Sequence, residues 1–350
     1  MKFAIVCVSI FICLFGAADA FASDTDYSKG PLFGKNLFIP LLLHYNFPSL
    51  SAKSGEKFDF QYHLSTYYVQ DVYYITEGLQ EGRHYNEKNV IRDYESWVAE
   101  MGLAYNFRKQ LQIGLDMRIF SYYGGFLDPV IESFHGLFNL PNAGREFFLQ
   151  NQLFINMQND NGIKIFLDAP ATSFGDIDIW GKWTFLENKY VSLGALGAFK
   201  LPTGNLAKLS GDDYPDAALG LLLDFRAAKY LTTFAQAGAV IPFNGMSYPM
   251  FNGLLGLELH PWEFLSFIVQ SNIKTSPISD HTIDYPRNPS LATNFRKYTP
   301  QINILGGLIF RHKGFKFQFY FEEDAIIVYH GTDITFNIMI SHTFSLKKHT

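Results

Sequence analysis

Single alternation of apolar and polar residues runs through most of the chain. Phe315, Phe317, Phe319 and Phe321 alternate with Lys316, Gln318, Tyr320 and Glu322. Leu111, Ile113, Leu115, Met117 and Ile119 alternate with Gln112, Gly114, Asp116 and Arg118. Ile177, Ile179, Trp183 and Phe185 do so with Asp176, Asp178, Lys182 and Thr184, and Ala217, Leu219, Leu221, Leu223 and Phe225 face away from Gly220, Asp224 and Arg226. A period of two means strands with one apolar and one polar face. A soluble sandwich would bury the apolar face; a membrane barrel would turn it to lipid. The segments are about 10 to 13 residues long, which suits a tilted span, whereas a sandwich strand is usually about 5 or 6.

The connections point the same way. Tight turns at 106–110, 159–162, 187–189, 227–229, 260–263 and 311–314 alternate with long loops at 71–93, 122–146, 202–215 and 275–299. Outer-membrane barrels have short periplasmic turns and long outer loops. Aromatics gather near strand ends (Tyr94, Trp97, Tyr105, Phe107, Tyr122, Tyr123, Trp180, Trp183, Tyr190, Tyr230 and Trp262), where interfacial girdles lie. Phe336, Ile338, Ile340, His342 and Phe344 make an alternating last strand with an aromatic end, the kind of signal that outer-membrane assembly machinery reads. The expectation is therefore an all-β fold, a transmembrane antiparallel up-and-down β-barrel of about 14 strands. They run over 56–70, 94–107, 110–121, 147–158, 163–169, 175–187, 190–201, 216–227, 230–241, 250–260, 263–274, 300–311, 314–323 and 333–344. The segment 163–169 is short; if it belongs to a loop the count is twelve.

Residues 1–22 read as a secretory signal peptide: a basic start, the apolar run Phe3 to Gly16, and small-x-small cleavage sites at Ala20 and Ala22. Both cysteines, Cys7 and Cys13, fall inside it, so the mature chain has neither disulfide nor thiolate. Residues 23–55 form a lead-in, 56–344 the barrel and 345–350 a periplasmic tail. Within the lead-in, Asn36 to Pro48 holds two prolines and too many apolar residues for a linker. It either enters the barrel mouth as a small plug or adds a strand. Composition agrees with this picture: aromatics are 17% of residues, which excludes disorder. A net charge of -5 without a basic stripe argues against nucleic acid as a partner. The expected location is the outer membrane, with its bilayer and assembly machinery as partners.

Asp128 to Phe138 breaks the alternation. Asp128 suits a cap, Pro129 the first helical turn, and Val130, Ile131, Phe134, Leu137 and Phe138 share one stripe. A short helix in an outer loop either packs on the rim as a lid or, through Phe134, His135 and Phe138, forms a constriction or ligand contact.

Candidate chemistry is sparse. His63 lies on the polar face near Ser65 without an evident third group, and adjacent Ser341 and His342 point to opposite faces. A paired-carboxylate hydrolase could use Asp212 and Asp213 with Asp280 and His281, but aspartates are common in loops. His84, His135, His281 and His330 lack metal-ligand spacing. No catalytic residue, metal site or cofactor is assigned. The polar face is charged and mixed: Asp59, Glu100, Asp116, Asp176, Asp178, Asp224, Glu258 and Glu322 oppose Arg118, Lys182, Lys200, Arg226, Lys274 and Lys316. These charges either neutralise one another across a filled interior or line a polar conduit. The lumen and constriction candidates are Asp116, Arg118, Asp176, Asp178, Lys182, Lys200, Asp224 and Arg226, with Phe134, His135 and Phe138 of the helix.

Gly175 to Lys182 (GDIDIWGK), Ala198 to Gly204 (AFKLPTG) and Asp216 to Gly220 (DAALG) resemble the core of outer-membrane barrels assigned to the meta-pathway phenol-degradation family. The chain is more similar still to a related bacterial outer-membrane family of unknown function, which carries a loop helix like Phe134 to Pro141 and a proline-containing start like Asn36 to Pro40. The resemblance implies a barrel and, by analogy, uptake of small hydrophobic compounds; it supplies no catalytic residue. The expected function is a passive channel, transporter or binder of small molecules. A non-transporting structural or surface-binding barrel is the alternative, and an outer-membrane hydrolase a third.

Overall fold

Alternating segments that follow one another pair as hairpins, since adjacent strands are the nearest partners for backbone groups that lipid cannot satisfy. A computed structural model describes residues 27–39, 41–74, 91–138, 150–158, 164–245, 247–275, 277, 300–324, 332 and 334–346. The signal peptide and the tail beyond 346 lie outside the described residues. The strands are β1 (Asp59–Tyr74), β2 (Ile91–Arg108), β3 (Leu111–Tyr123), β4 (Phe154–Gln158), β5 (Lys164–Leu167), β6 (Ala171–Glu187), β7 (Val191–Leu201), β8 (Asp216–Ala228), β9 (Leu231–Pro242), β10 (Met250–Leu259), β11 (Leu265–Thr275), β12 (Pro300–His312), β13 (Phe315–Asp324) and β14 (Ile334–Ser345). One α-helix among the described residues, α1 (Asp128–Phe138), follows β3.

The ring closes because β1 pairs antiparallel with both β2 and β14. Read round, it runs β1-β2-β3-β6 and then consecutively to β14, twelve antiparallel strands. The two segments expected at 147–158 and 163–169 form a small hairpin outside it. β4 pairs with Ile91, Arg92 and Asp93 of β2, and β5 only with β4. At 5 and 4 residues they are too short to span, and β3 pairs directly with β6 instead. Twelve is thus the count of the wall.

Parity decides which side chain faces where. In β3 the even residues from Gly114 to Tyr122 are buried and the odd ones are not. Outward faces carry Phe315, Phe317, Phe319 and Phe321 on β13 and Phe336, Ile338, Ile340 and Phe344 on β14. Trp97, Phe107, Trp183, Tyr190, Tyr230 and Trp262 also point out. Tyr94, Tyr122 and Trp180, expected in the girdle, are instead inside and at most 5% exposed. Trp180 and Trp183 are three residues apart on one strand, so alternation sends them to opposite faces.

The ring is not empty. Residues 27–39 and 41–57 run within it along an irregular path whose one regular piece, among the described residues, is a 3-10 turn at Leu41–Leu43. No strand forms over 36–48 among the described residues. The segment starts at the short-turn end, where the Lys29 amide donates to Glu258 beside the β10–β11 turn. It rises until the Arg92 guanidinium stacks 4.4 Å over the Phe38 ring near the long connections. It then descends to Gly55, beside Asn106 near the β2–β3 turn. The core is where its apolar side chains (Leu32, Leu37, Phe38, Ile39, Leu41 to Leu43, Tyr45 and Phe47) meet inward Tyr67, Phe120, Leu196, Ile268, Leu305 and Tyr320. Phe47 lies against Gly220 and Gly238, paired residues of β8 and β9; a Cβ there would meet its ring at 2.9 and 2.7 Å.

Candidate functional site

Polar residues that alternate inward must find partners in a space with little water, and the inner segment supplies many of them. At mid-height the Lys35 ammonium lies 3.1 Å from Asp116, 3.2 Å from Glu100 and 3.6 Å from Asp178, with all four side chains buried. The carboxylates come from β2, β3 and β6, so one lysine ties together three wall strands. Burial opposes the Lys35 charge, but Asp116, Glu100 and Asp178 outweigh it and hold the ammonium above its ordinary pKa. Arg118 bonds Asp178 across the β3–β6 ladder at 3.0 Å, and Trp180 donates its indole N–H to Asp116 at 3.2 Å. His63 Nε2 is 3.2 Å from Glu100, and the Phe33 ring packs 4.5 Å from the imidazole.

Nearer the long connections, Lys200 donates to the Leu43 carbonyl at 2.8 Å and to Asp176 at 2.9 Å, and also to Asp212; Asp216 is 3.5 Å away. His44 Nδ1 is 3.4 Å from both Asp212 and Asp216, and the Tyr45 amide donates to Asp216 at 2.6 Å. The KLPTG corner closes this level, with Gly204 N donating to Asp176 at 2.7 Å and Thr203 Oγ1 to the Gly175 carbonyl at 3.0 Å. Toward the short turns, Lys182 donates to the carbonyls of Ser51 and Lys53 at 3.0 and 2.9 Å, and the Ala52 amide to Asp224 at 2.9 Å.

The lumen candidates Asp116, Arg118, Asp176, Asp178, Lys182, Lys200, Asp224 and Arg226 are all buried on the inner face. Their partners come from other strands, from a turn and from the inner segment. Asp116 and Arg118 share a face, but Arg118 pairs with Asp178 while Asp116 takes Lys35. Asp224 takes Ser51 and Ala52, while Arg226 donates to the Lys229 carbonyl at 3.4 Å. Lys35 and His44 were not foreseen because they depend on where an aperiodic segment lies, and the His63–Glu100 contact because it depends on the register between β1 and β2; alternation reports neither.

Helix α1 is held at the rim by two wall residues and its own first residue. Glu95 accepts from the amides of Phe126 and Leu127, and Asp128 accepts from Asn151 N at 2.6 Å and Gln70 Nε2 at 3.3 Å. Ile131 is buried and His135 half-buried, while Val130 and Leu137 are exposed. The side chains of Phe134 and Phe138 lie outside the described residues. For the hydrolase set, Asp212 is occupied by Lys200, His44 and Asn244. Asp213 accepts from Leu206 N at 3.3 Å. Asp280 and His281, like His84 and His330, lie outside the described residues.

Two triads, His44 with Asp212 and Asp216 and His63 with Glu100 and Asp116, bring donor atoms within 4.8 Å of one another. In each, a lysine already sits against the carboxylates, Lys200 in the first and Lys35 in the second. In both sets an ammonium thus already occupies the space between carboxylates.

A family model described as "Protein of unknown function (DUF3187)" matches residues 12–344. Among solved structures, the chain is similar to the COG4313 outer membrane channel from Pseudomonas putida F1. The TM-score is 0.52 at 10% identity, covering 83% of this chain and 98% of that one. A KdgM porin aligns with TM-score 0.43 at 6% identity over 82% and 99% of the two chains. A TodX monoaromatic hydrocarbon channel mutant aligns with TM-score 0.40 at 8% identity over 84% and 91%. No curated protein matches the chain in sequence. The likeness to the Pseudomonas channel extends to the fold.

Proposed function

The chain belongs to the DUF3187 family of unknown function, and on that premise we propose that it is an outer-membrane barrel that passes or binds small molecules and is closed by its own N-terminal segment. The observation that carries this reading is the insertion of Lys35 among three wall carboxylates at mid-height. A segment rooted at the short-turn end, whose polar contacts converge on the lumen, acts as a plug. The fold shared with an outer membrane channel supports passage through the ring. In this reading residues 1–22 are cleaved on export and the short turns face the periplasm. The last strand engages the assembly machinery. The charged inner face favours polar solutes over the hydrophobic compounds that the sequence resemblance implies.

A barrel that only holds itself together would also have a filled interior, so the plug must be removed to separate the readings. The mature chain and a variant lacking residues 29–54 are reconstituted in planar bilayers and in liposomes, folding being checked by heat-modifiable migration. The mature chain is expected to be nearly silent and the shortened barrel to conduct ions and admit small solutes. A folded shortened barrel that conducts nothing would support the structural reading instead.

A further inference from the structure

The chain that leaves β3 turns onto the outer surface of the wall. On β2 the odd residues Trp97, Met101 and Leu103 are exposed to the outside, and on β1 the even residue Leu64 is. By the same alternation Glu95 and Gln70 face outwards, yet each is only 1% exposed. The start of α1 covers them: Glu95 accepts from the amides of Phe126 and Leu127, and Gln70 donates to Asp128. Gly125 makes the turn with φ +79°, and a Cβ there would meet the Glu95 carboxyl carbon at 1.8 Å. Helix α1 therefore starts on the outer side of the wall and not over the mouth.

Its polarity is reversed for a helix in water, where charged residues face out and apolar ones the protein. Asp128 is buried and Glu132 and His135 are half-buried, with Glu132 accepting from Gln150 Nε2 at 2.9 Å. Among the described residues the exposed positions of the helix are Pro129, Val130, Ser133, Gly136 and Leu137, none of them charged. Leu137 is 78% exposed, and Phe126, just before the helix, 61%. Ser133 donates its hydroxyl to the Pro129 carbonyl one turn back at 2.6 Å, which satisfies the stripe's side-chain donor without water. The stripe also continues the outward aromatic band. The Phe126 ring lies 5.7 Å from Tyr68, and Tyr68 lies 6.2 Å from Tyr123, at the long-connection ends of β1 and β3.

We propose that α1 is an interfacial anchor that lies against the outside of the barrel and inserts Phe126, Val130 and Leu137 among the acyl chains of the leaflet at the long-connection end. At 11 residues it is too short to cross the bilayer. The inference rests on the part of the proposed function that places the barrel in a bilayer, and not on passage through the ring or closure by the inner segment.

A chain beginning at residue 23 contains no cysteine, so single cysteines can carry a nitroxide. Val130→Cys and Leu137→Cys are compared in phosphatidylcholine vesicles with two references: Leu255→Cys, outward on β10, and Lys208→Cys, exposed in a long connection. Power saturation measures collision with oxygen, which concentrates in lipid, and with a water-soluble nickel complex. The labels at 130 and 137 should match the one at 255 and favour oxygen several-fold more than the one at 208. Labels that behave like the one at 208 would overturn the proposal. So would labels shielded from both reagents, which would put protein, such as a second copy, over the stripe. If the label at 255 itself favours nickel, the bilayer placement fails and the anchor with it; failure at 130 and 137 alone leaves that placement standing. A second variant joins Val130→Asp and Leu137→Asp with a label at Ser133→Cys, folding being checked by migration in unheated gels. Its oxygen preference should fall from the lipid value seen without the aspartates to that of the label at 208, and an unchanged preference would overturn the proposal.

Discussion

Lys35 sits where three carboxylates from separate strands converge, which makes it the residue most costly to neutralise. Replacing it by Met would leave Glu100, Asp116 and Asp178 facing one another with only Arg118 and His63 at hand. Breaking a buried ionic group by removing one member typically costs about 3–5 kcal/mol. The expected result for Lys35→Met is a plug released at markedly lower urea, read as trypsin cleavage within residues 27–57 while the wall stays protected. The pH dependence has a definite sign. The Lys35 pKa is raised above its ordinary 10.5. Its stabilising share is therefore complete below that value and fades only as pH climbs past the raised one. From neutral pH up to that point release of the plug should be flat, and it should rise in strongly alkaline buffer; a release that sets in as pH rises just past neutrality would refute this role. Among these residues, parity alone placed Asp116, Arg118, Asp178, Lys182 and Lys200 inside. Their partners escaped, because contacts such as Lys35–Asp116 or Lys29–Glu258 join distant parts of the chain with no shared period.

The strand is the element that the pattern describes best. β13 and β14 lie within a residue or two of their expected ranges, since alternation is unbroken there. β6 begins at Ala171, four residues before the expected start, because pairing with β3 continues past Gly175 through Phe174 and Ser173. The outer hairpin shows the limit of the pattern. β4 and β5 alternate like wall strands, but their neighbours in space are decided by the β3–β6 ladder. Ring closure runs through β1–β2, β2–β3 and β3–β6 and does not pass through that hairpin. Replacing residues 154–167 by a short Gly-Ser linker should therefore leave a barrel that still migrates in its folded form in unheated detergent gels, with a small loss of thermal stability. Loss of the folded band would mean that the hairpin is part of the wall.

For the whole molecule, the sequence left the side of the sheet legible and the contents of the ring undecided. Polar inward rows fit either a conduit or a packed interior, and the choice was made by Asn36 to Pro48, whose apolar residues are unlike a linker and form much of the core. Acidic middle levels matched to Lys35 follow from where that segment lies. The account rests on apolar rows facing lipid and polar rows enclosing the chain's own segment. Trp183 and Trp180 test both at once, being 56% and 5% exposed on opposite faces of β6. In variants that keep one of them, with the other three tryptophans changed to Phe, fluorescence is measured in bilayers of brominated and unbrominated lipid. Brominated chains should strongly quench Trp183 and leave Trp180 nearly untouched. Equal quenching of the two, or quenching of Trp180 alone, would contradict the assignment.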